Sequence, residues 1–233
     1  SEFIAFKKLI DSTGIPYRTT VGNHDNHSAE GDGAKEAPYR QIFGERCHYT
    51  FTHKGLGFVV ANNSGTATPE LSPQAIEQRD SLLSEHLASH ENRPVVIACH
   101  VPVLPMREEA ILKESFSIPT YKVAEPGMLK IIEQHRHHVA AVLSGHLHLS
   151  AVVHQHDITH IDVCGTAGYP HEVALHTVTA EAFYTDFIPL PDDLVDPSTN
   201  IHGKPWQQRD FTDSVHPDHA SYLRGLARER RIR

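Results

Sequence analysis

Six side chains in three short clusters carry the chemistry open to this sequence. Gly22-Asn23-His24-Asp25 follows the apolar run Ile15 to Val21. Cys99-His100-Val101-Pro102 follows Val95 to Ala98, and Gly145-His146-Leu147-His148 follows Val139 to Ser144. Each run reads as a strand that ends in a loop bearing histidine. In open α/β sheets functional groups gather at the carboxyl ends of strands, so three such endings predict one site built from three loops. Neutral imidazoles with oxygen donors suit Mn, Fe or Zn. Two such ions about 3.5–4 Å apart can clamp both the attacking and the leaving oxygens of an in-line phosphoryl displacement.

Taken singly, each cluster has a plainer reading. Asn23 fits a turn, since Gly-Asn pairs favour turns. His100 fits a core or loop histidine, and His146 with His148 leaves the choice open. The chain holds 20 histidines, and H-x-H recurs at His135/His137 and His154/His156, so spacing alone decides nothing. A preceding strand and Gly145 set the GHLH copy apart. His154, His156, His160 and the run from His135 to His138 read as solvated surface.

GNHD, then a lone H-x-P after a strand, then GHxH, in that order from about Ile15 to Tyr169, resembles the calcineurin-like metallophosphoesterases. The ordered set is specific where each motif alone is weak. The resemblance implies an α/β fold, a four-layer sandwich of two mixed β-sheets flanked by helices. It implies that Asn23, His100 and His146 hold one metal ion and that His148 belongs to the other. His24 is then a non-ligand that protonates the leaving oxygen or steadies charge on the phosphoryl group. Asp25 would orient and charge it, because a carboxylate neighbour raises a histidine pKa.

The implied cofactors are two divalent ions, Mn, Fe or Zn, and the implied substrate is a small phosphodiester or phosphomonoester. Tyr39 to Asn63 looks most like the cyclic-nucleotide phosphodiesterase and purple-acid-phosphatase-like branch. The alternatives are a nuclease branch with the same motifs and a non-catalytic scaffold such as the retromer subunit of this fold. A nuclease needs a basic track, which the segment Val101 to Glu125 lacks, and the scaffold lacks the histidine that His24 supplies here.

Two of the family's motifs, D-x-H and a G-D whose Asp bridges both ions, have no counterpart before GNHD. Asp11 is the one candidate, and no glycine precedes it. The resemblance therefore implies a missing N-terminal β-α-β segment, an incomplete metal centre and poor metal binding. It also implies an open sheet edge through which the chain would self-associate.

The elements that must position these residues can be read from pattern. Glu2 to Asp11 is a helix with Phe3, Phe6, Leu9 and Ile10 on its apolar face. Asn26 to Lys35 is a polar loop, and Pro38 to Phe43 a helical turn. His48 to Thr52 and Gly57 to Asn62 form a hairpin about Lys54-Gly55. Ser72-Pro73 starts a helix that runs to about His90. Val101 to Glu125, with three prolines, is a long substrate-shaping connection. Pro126 to His135 is a helix. Two further hairpins follow, about Asp157 and about Glu181. Residues 1–189 read as one phosphoesterase domain and 190–233 as a tail packed on it, ending in a helix from Tyr222 to Arg233.

A net charge of −8 over 233 residues argues against general nucleic-acid or anionic-membrane binding. No apolar run approaches the ~20 residues needed to span a bilayer. Cys47, Cys99 and Cys164 are too few and too far apart for a disulfide framework. They read as free thiols in a reducing, cytoplasmic setting.

Overall fold

The computed structural model describes residues 2–25, 37–44, 47–64, 71–116, 121–166, 168–196, 198 and 211–230. The loop expected from Asn26 to Lys35 lies outside them. The frame is a six-stranded mixed sheet of β1 (Tyr49–His53), β2 (Leu56–Val60), β3 (Val95–Ala98), β4 (Val139–Ser144), β5 (Ala151–Gln155) and β6 (Ile158–Asp162), in the order β1-β2-β3-β4-β6-β5. β2, β3, β4 and β6 run parallel, with β1 and β5 antiparallel at the two edges. β7 (Glu172–Val178) and β8 (Phe183–Pro189) form a second sheet, an antiparallel pair. The helices α1 (Glu2–Ser12), α2 (Ala37–Phe43), α3 (Pro73–Ser89), α4 (Glu109–Ser115), α5 (Pro126–Gln134) and α6 (His219–Arg224) flank the sheets. This is the α/β class expected, with two sheets flanked by helices.

Local chemistry accounts for most boundaries. Lys54 and Gly55 both have positive φ (47° and 87°), as a tight two-residue hairpin between β1 and β2 requires. Ser72 caps α3 by accepting the Ala75 N–H, and Pro73 occupies its first turn, where its missing N–H costs nothing. Arg79, Leu83 and Leu87 recur every four residues and form the buried face of α3. Leu83 and Leu87 meet Met128 and Ile132 of α5 and Val59, Ile97 and Val142 of the sheet in one core. A second core joins Leu112, Leu147 and Leu149 to Phe211, Tyr222 and Leu223 of the tail. At Gly57 a Cβ would stand 2.5 Å from the His90 ring, so any larger residue there requires that ring to move.

Several expectations need correction. Residues 15–21 are not a strand. The segment joins no ladder among the described residues, and Ile15 is largely solvent-exposed. Its contacts are made by side chains instead, with the Thr19 hydroxyl bonded to that of Tyr39 and the Thr19 carbonyl accepting from Tyr49 Oη at 2.7 Å. α1 forms as expected but buries no residue. Phe3 meets the rings of Tyr39 and Phe43 edge-on and Phe6 meets that of Phe43, while Leu9 is 69% exposed.

The connection from Val101 to Glu125 contains α4, and its residues 117–120 lie outside the described set. The tail helix is shorter than expected, because Gly225 (φ 76°) ends it after Arg224, and residues 231–233 are not described. His138 and His160 are buried rather than solvated. Among the described residues no helix is long and apolar enough to cross a membrane. All three cysteines are free and buried.

Candidate metal centre

The loops that leave β3 and β4 at their carboxyl ends bring His100 and His146 together, and the turn at residues 23–25 brings Asn23 between them. Asn23 Oδ1 lies 2.7 Å from His100 Nε2 and 3.3 Å from His146 Nδ1, and the two ring nitrogens are 3.2 Å apart. The expected trio thus meets at one point, although its members are up to 123 residues apart in sequence.

Each member is held by a different local device. The GNHD turn closes on itself: Gly22 N–H donates to Asp25 Oδ2 at 2.6 Å and Asp25 N–H to Gly22 O at 3.0 Å. A Cβ on Gly22 would stand 3.2 Å from Asp25 Oδ2 and 3.3 Å from the His100 ring, so glycine is what lets the turn approach His100. The His100 loop is pinned by Asn63, which is fully buried beyond the end of β2. Its Oδ1 accepts from the His100 and Val101 N–H groups at 3.1 and 3.0 Å, and its amide donates to Val101 O at 2.7 Å. No motif in the sequence marks Asn63. The cue lay in its place just after the strand β2, at the same sheet edge as the other loops.

His146 and His148 both adopt left-handed backbone (φ 73° and 55°), a conformation that is uncommon for non-glycine residues and associated with functional turns. His146 Nε2 stands 2.9 Å from Lys122 O. A carbonyl can only accept, so Nε2 carries the proton and Nδ1 presents a lone pair to Asn23 and His100.

Electrostatics favour the neutral rings that a metal ion needs. Burial, then the nearby His148 and His24, hold His100 down at about 4. Burial, then His100, hold His146 down at about 3, against the pull of the Lys122 carbonyl. Both rings are therefore neutral at pH 7. The neutral His146 Nδ1 and Asn23 Oδ1 are both acceptors facing one spot, and His100 Nε2 is the third atom there, a lone-pair donor in the tautomer that carries its proton on Nδ1. That donor set fits a divalent cation. Among the described residues no three His, Cys, Asp or Glu side chains gather as an ion site; the third donor here is an amide oxygen.

The other expected residues lie close by. His148 is half-buried and near enough for its charge to act on both His100 and His146. His24 is exposed, while Asn23 beside it is buried, so the turn directs one side chain inward and offers the next to solvent. Asp25 is half-buried. Burial raises its pKa, offset by the Gly22 N–H and by His24. Its carboxylate holds the turn and also faces His24 electrostatically.

A family model for the calcineurin-like phosphoesterases matches residues 1–150. No curated protein sequence matches the chain. Among solved structures, a dimetal phosphatase from Danio rerio is similar at 15% identity and a TM-score of 0.52, over 77% of this chain and 71% of that one. The anchor in the inner membrane complex of Plasmodium is similar at 13% identity and a TM-score of 0.43, over 75% of this chain and 65% of that one. The ordered motifs meet at one donor cluster, and the family's model covers well over half of the sequence: the chain belongs to the calcineurin-like phosphoesterase family.

Proposed function

We propose that this chain is a phosphoesterase that uses divalent ions, with Mn, Fe or Zn as candidates, on a small phosphodiester or phosphomonoester. The observation that carries the reading is the meeting of three uncharged donors, Asn23 Oδ1, His100 Nε2 and His146 Nδ1, within 3.3 Å of one another. These three would hold one ion, and His148 would serve a second. When bound, the ions supply Lewis acidity to the phosphoryl oxygens. The family membership and the dimetal phosphatase of similar fold are in keeping with this.

The chain's own residues divide the rest of the work. Burial keeps His100 and His146 deprotonated and ready to ligate. Asn63 fixes the His100 loop. His24, exposed beside the cluster, can reach an incoming phosphoester and pass a proton to the leaving oxygen, and Asp25 steadies both its turn and its charge. Among the described residues the second ion has His148 as its one expected donor, so we propose a centre that is incomplete in this chain. Nothing in the net charge favours a duplex nucleic-acid substrate.

Counting the ions tests this. After incubation with manganese and removal of free metal, one ion per chain is expected, with none in His146→Ala and little hydrolysis of bis(4-nitrophenyl) phosphate. Two ions per chain with hydrolysis that falls about 10²–10⁴-fold in His24→Ala would uphold the phosphoesterase and overturn the incomplete centre. Two ions with full activity in His24→Ala would remove the role given to that residue. No bound ion at all would overturn the donor trio.

A further inference from the structure

The five residues Tyr121 to Glu125, at the end of the connection between β3 and α5, form a strap across His146. The Tyr121 ring lies on the His146 ring, with centroids 4.7 Å apart and planes 8° from parallel. The same ring also stacks on Phe116 at 4.1 Å, so two aromatic contacts hold the tyrosine in place. The Tyr121 hydroxyl donates to His146 O at 3.3 Å, and the next residue supplies the carbonyl that takes the His146 Nε2 proton.

The far end of the strap is anchored. Glu125 N–H donates to Pro102 O at 2.8 Å. Its carboxylate pairs with Lys122 and stands 3.2 Å from the guanidinium of Arg79, a fully buried residue of α3. Val123 between them is buried in the second core.

We propose that this strap is a positioning device for the metal centre, with Tyr121 as its working residue. A neutral imidazole can carry its proton on either nitrogen, and one of the two tautomers blocks Nδ1. The Lys122 carbonyl selects the open tautomer, while the Tyr121 ring fixes the plane of His146. The Tyr121 hydroxyl ties down the carbonyl of a residue whose left-handed backbone has no reason to persist alone. Partners of this kind orient metal-binding histidines, and their loss typically costs about 10–100-fold in metal affinity. The inference deepens the proposed function and rests on the reading of His146 as a ligand. The plainer view, that Tyr121 merely fills space between Phe116 and His146, predicts a loss of stability without a change in tautomer.

Two readouts on the metal-free and cobalt-titrated chain decide between them. Long-range proton–nitrogen correlation spectra of the imidazoles are expected to show His146 as one Nε2–H tautomer in the unaltered protein. Tyr121→Leu, which keeps bulk against Phe116, should mix the two tautomers and weaken Co²⁺ binding about 10-fold or more. Tyr121→Phe, which keeps the stack and loses one hydrogen bond, should hold the tautomer and bind Co²⁺ within about fivefold of the unaltered chain. A single tautomer and unchanged affinity in Tyr121→Leu would overturn the strap. If the unaltered chain shows the fixed tautomer, loses it in Tyr121→Leu, but takes up no cobalt, then the metal reading fails and the strap stands.

Discussion

At pH 7 the imidazole of His160 has to be neutral, because it is 2% exposed and, among the described residues, neither ring nitrogen finds a hydrogen-bond partner. Burial, the first cause, holds its pKa down at about 4, with Glu133 pulling the other way. The unfolded chain takes up that proton at about 6.5. Between pH 6.5 and 4 the unfolded state therefore binds more protons than the folded state, and stability falls as pH falls. The full span is worth about 3 kcal/mol for this one residue. His160→Leu is expected to raise stability at pH 7 by about 1–2 kcal/mol and to flatten the acid limb by one proton. Urea unfolding at pH 7 and pH 4.5 measures both, and parallel pH profiles for the two proteins would sink the argument. Asn23, His100 and His146 were legible in the sequence because each follows a turn or strand end in a fixed order. His160 was misread because β6 lies between β4 and β5 with both faces covered, whereas a hairpin read from sequence suggests one solvated face. Asn63 and Tyr121 bond to His100 and His146 across 37 and 25 residues, and no local pattern announces such a pairing.

The same division holds for the elements. Hairpins and capped helices were readable, since Lys54-Gly55 and Ser72-Pro73 dictate local geometry whatever surrounds them. The segment 15–21 was not, because a strand exists only by virtue of a neighbour. α4 was hidden among prolines, with Ile111 and Leu112 as its sole apolar pair. The tail depends on an ion pair as well as on its apolar face. Glu172 at the start of β7 is 2% exposed and accepts two bonds from Arg230, each 3.0 Å long, and one from Ser150 Oγ at 2.9 Å. Ser150 in turn donates its N–H to Leu223 O of α6 at 2.7 Å. The tail is thereby joined to the residues that follow GHLH. Arg230→Ala leaves Glu172 buried with Arg224, 3.4 Å away, as its remaining cation among the described residues, so the expected loss is about 2–3 kcal/mol, below the cost of a fully broken buried pair. Amide exchange should quicken at Ser150 and across α6 while β3 and β4 keep their protection. Unchanged exchange at Ser150 would show that the apolar contacts of Phe211, Tyr222 and Leu223 hold the tail unaided.

For the whole molecule the decisive feature is an edge. β1 is the outer strand of the six-stranded sheet, and among the described residues it pairs on one side only, with β2. Beside it runs a cavity of about 720 Å³ lined by Asp11, Ile15, Tyr17, Phe43, Thr50 and Phe51. Ile15 is 68% exposed there, and α1 above it buries nothing. Proteins blunt such edges with charge, proline, a bulge or a cover, and β1 carries only His53, at its far end. A second copy of the chain offers the same strand, and two β1 edges can pair about a twofold axis with the exposed Ile15 of each copy beside the joint. Concentration-dependent self-association is therefore expected, seen as a rise in mass by sedimentation or light scattering. Thr50→Lys, which sets a charge on the strand, and Ile15→Lys, which sets one in the groove, should each shift the mass toward monomer without lowering the melting temperature. Both variants sit away from Asn23, His100 and His146, so their metal content should equal that of the unaltered chain. A monomeric mass at all concentrations would mean that the groove alone shields the edge. Association that survives both lysines would place the contact on another face, such as the exposed side of β7 and β8, where Val173, Leu175 and Ile188 reach solvent.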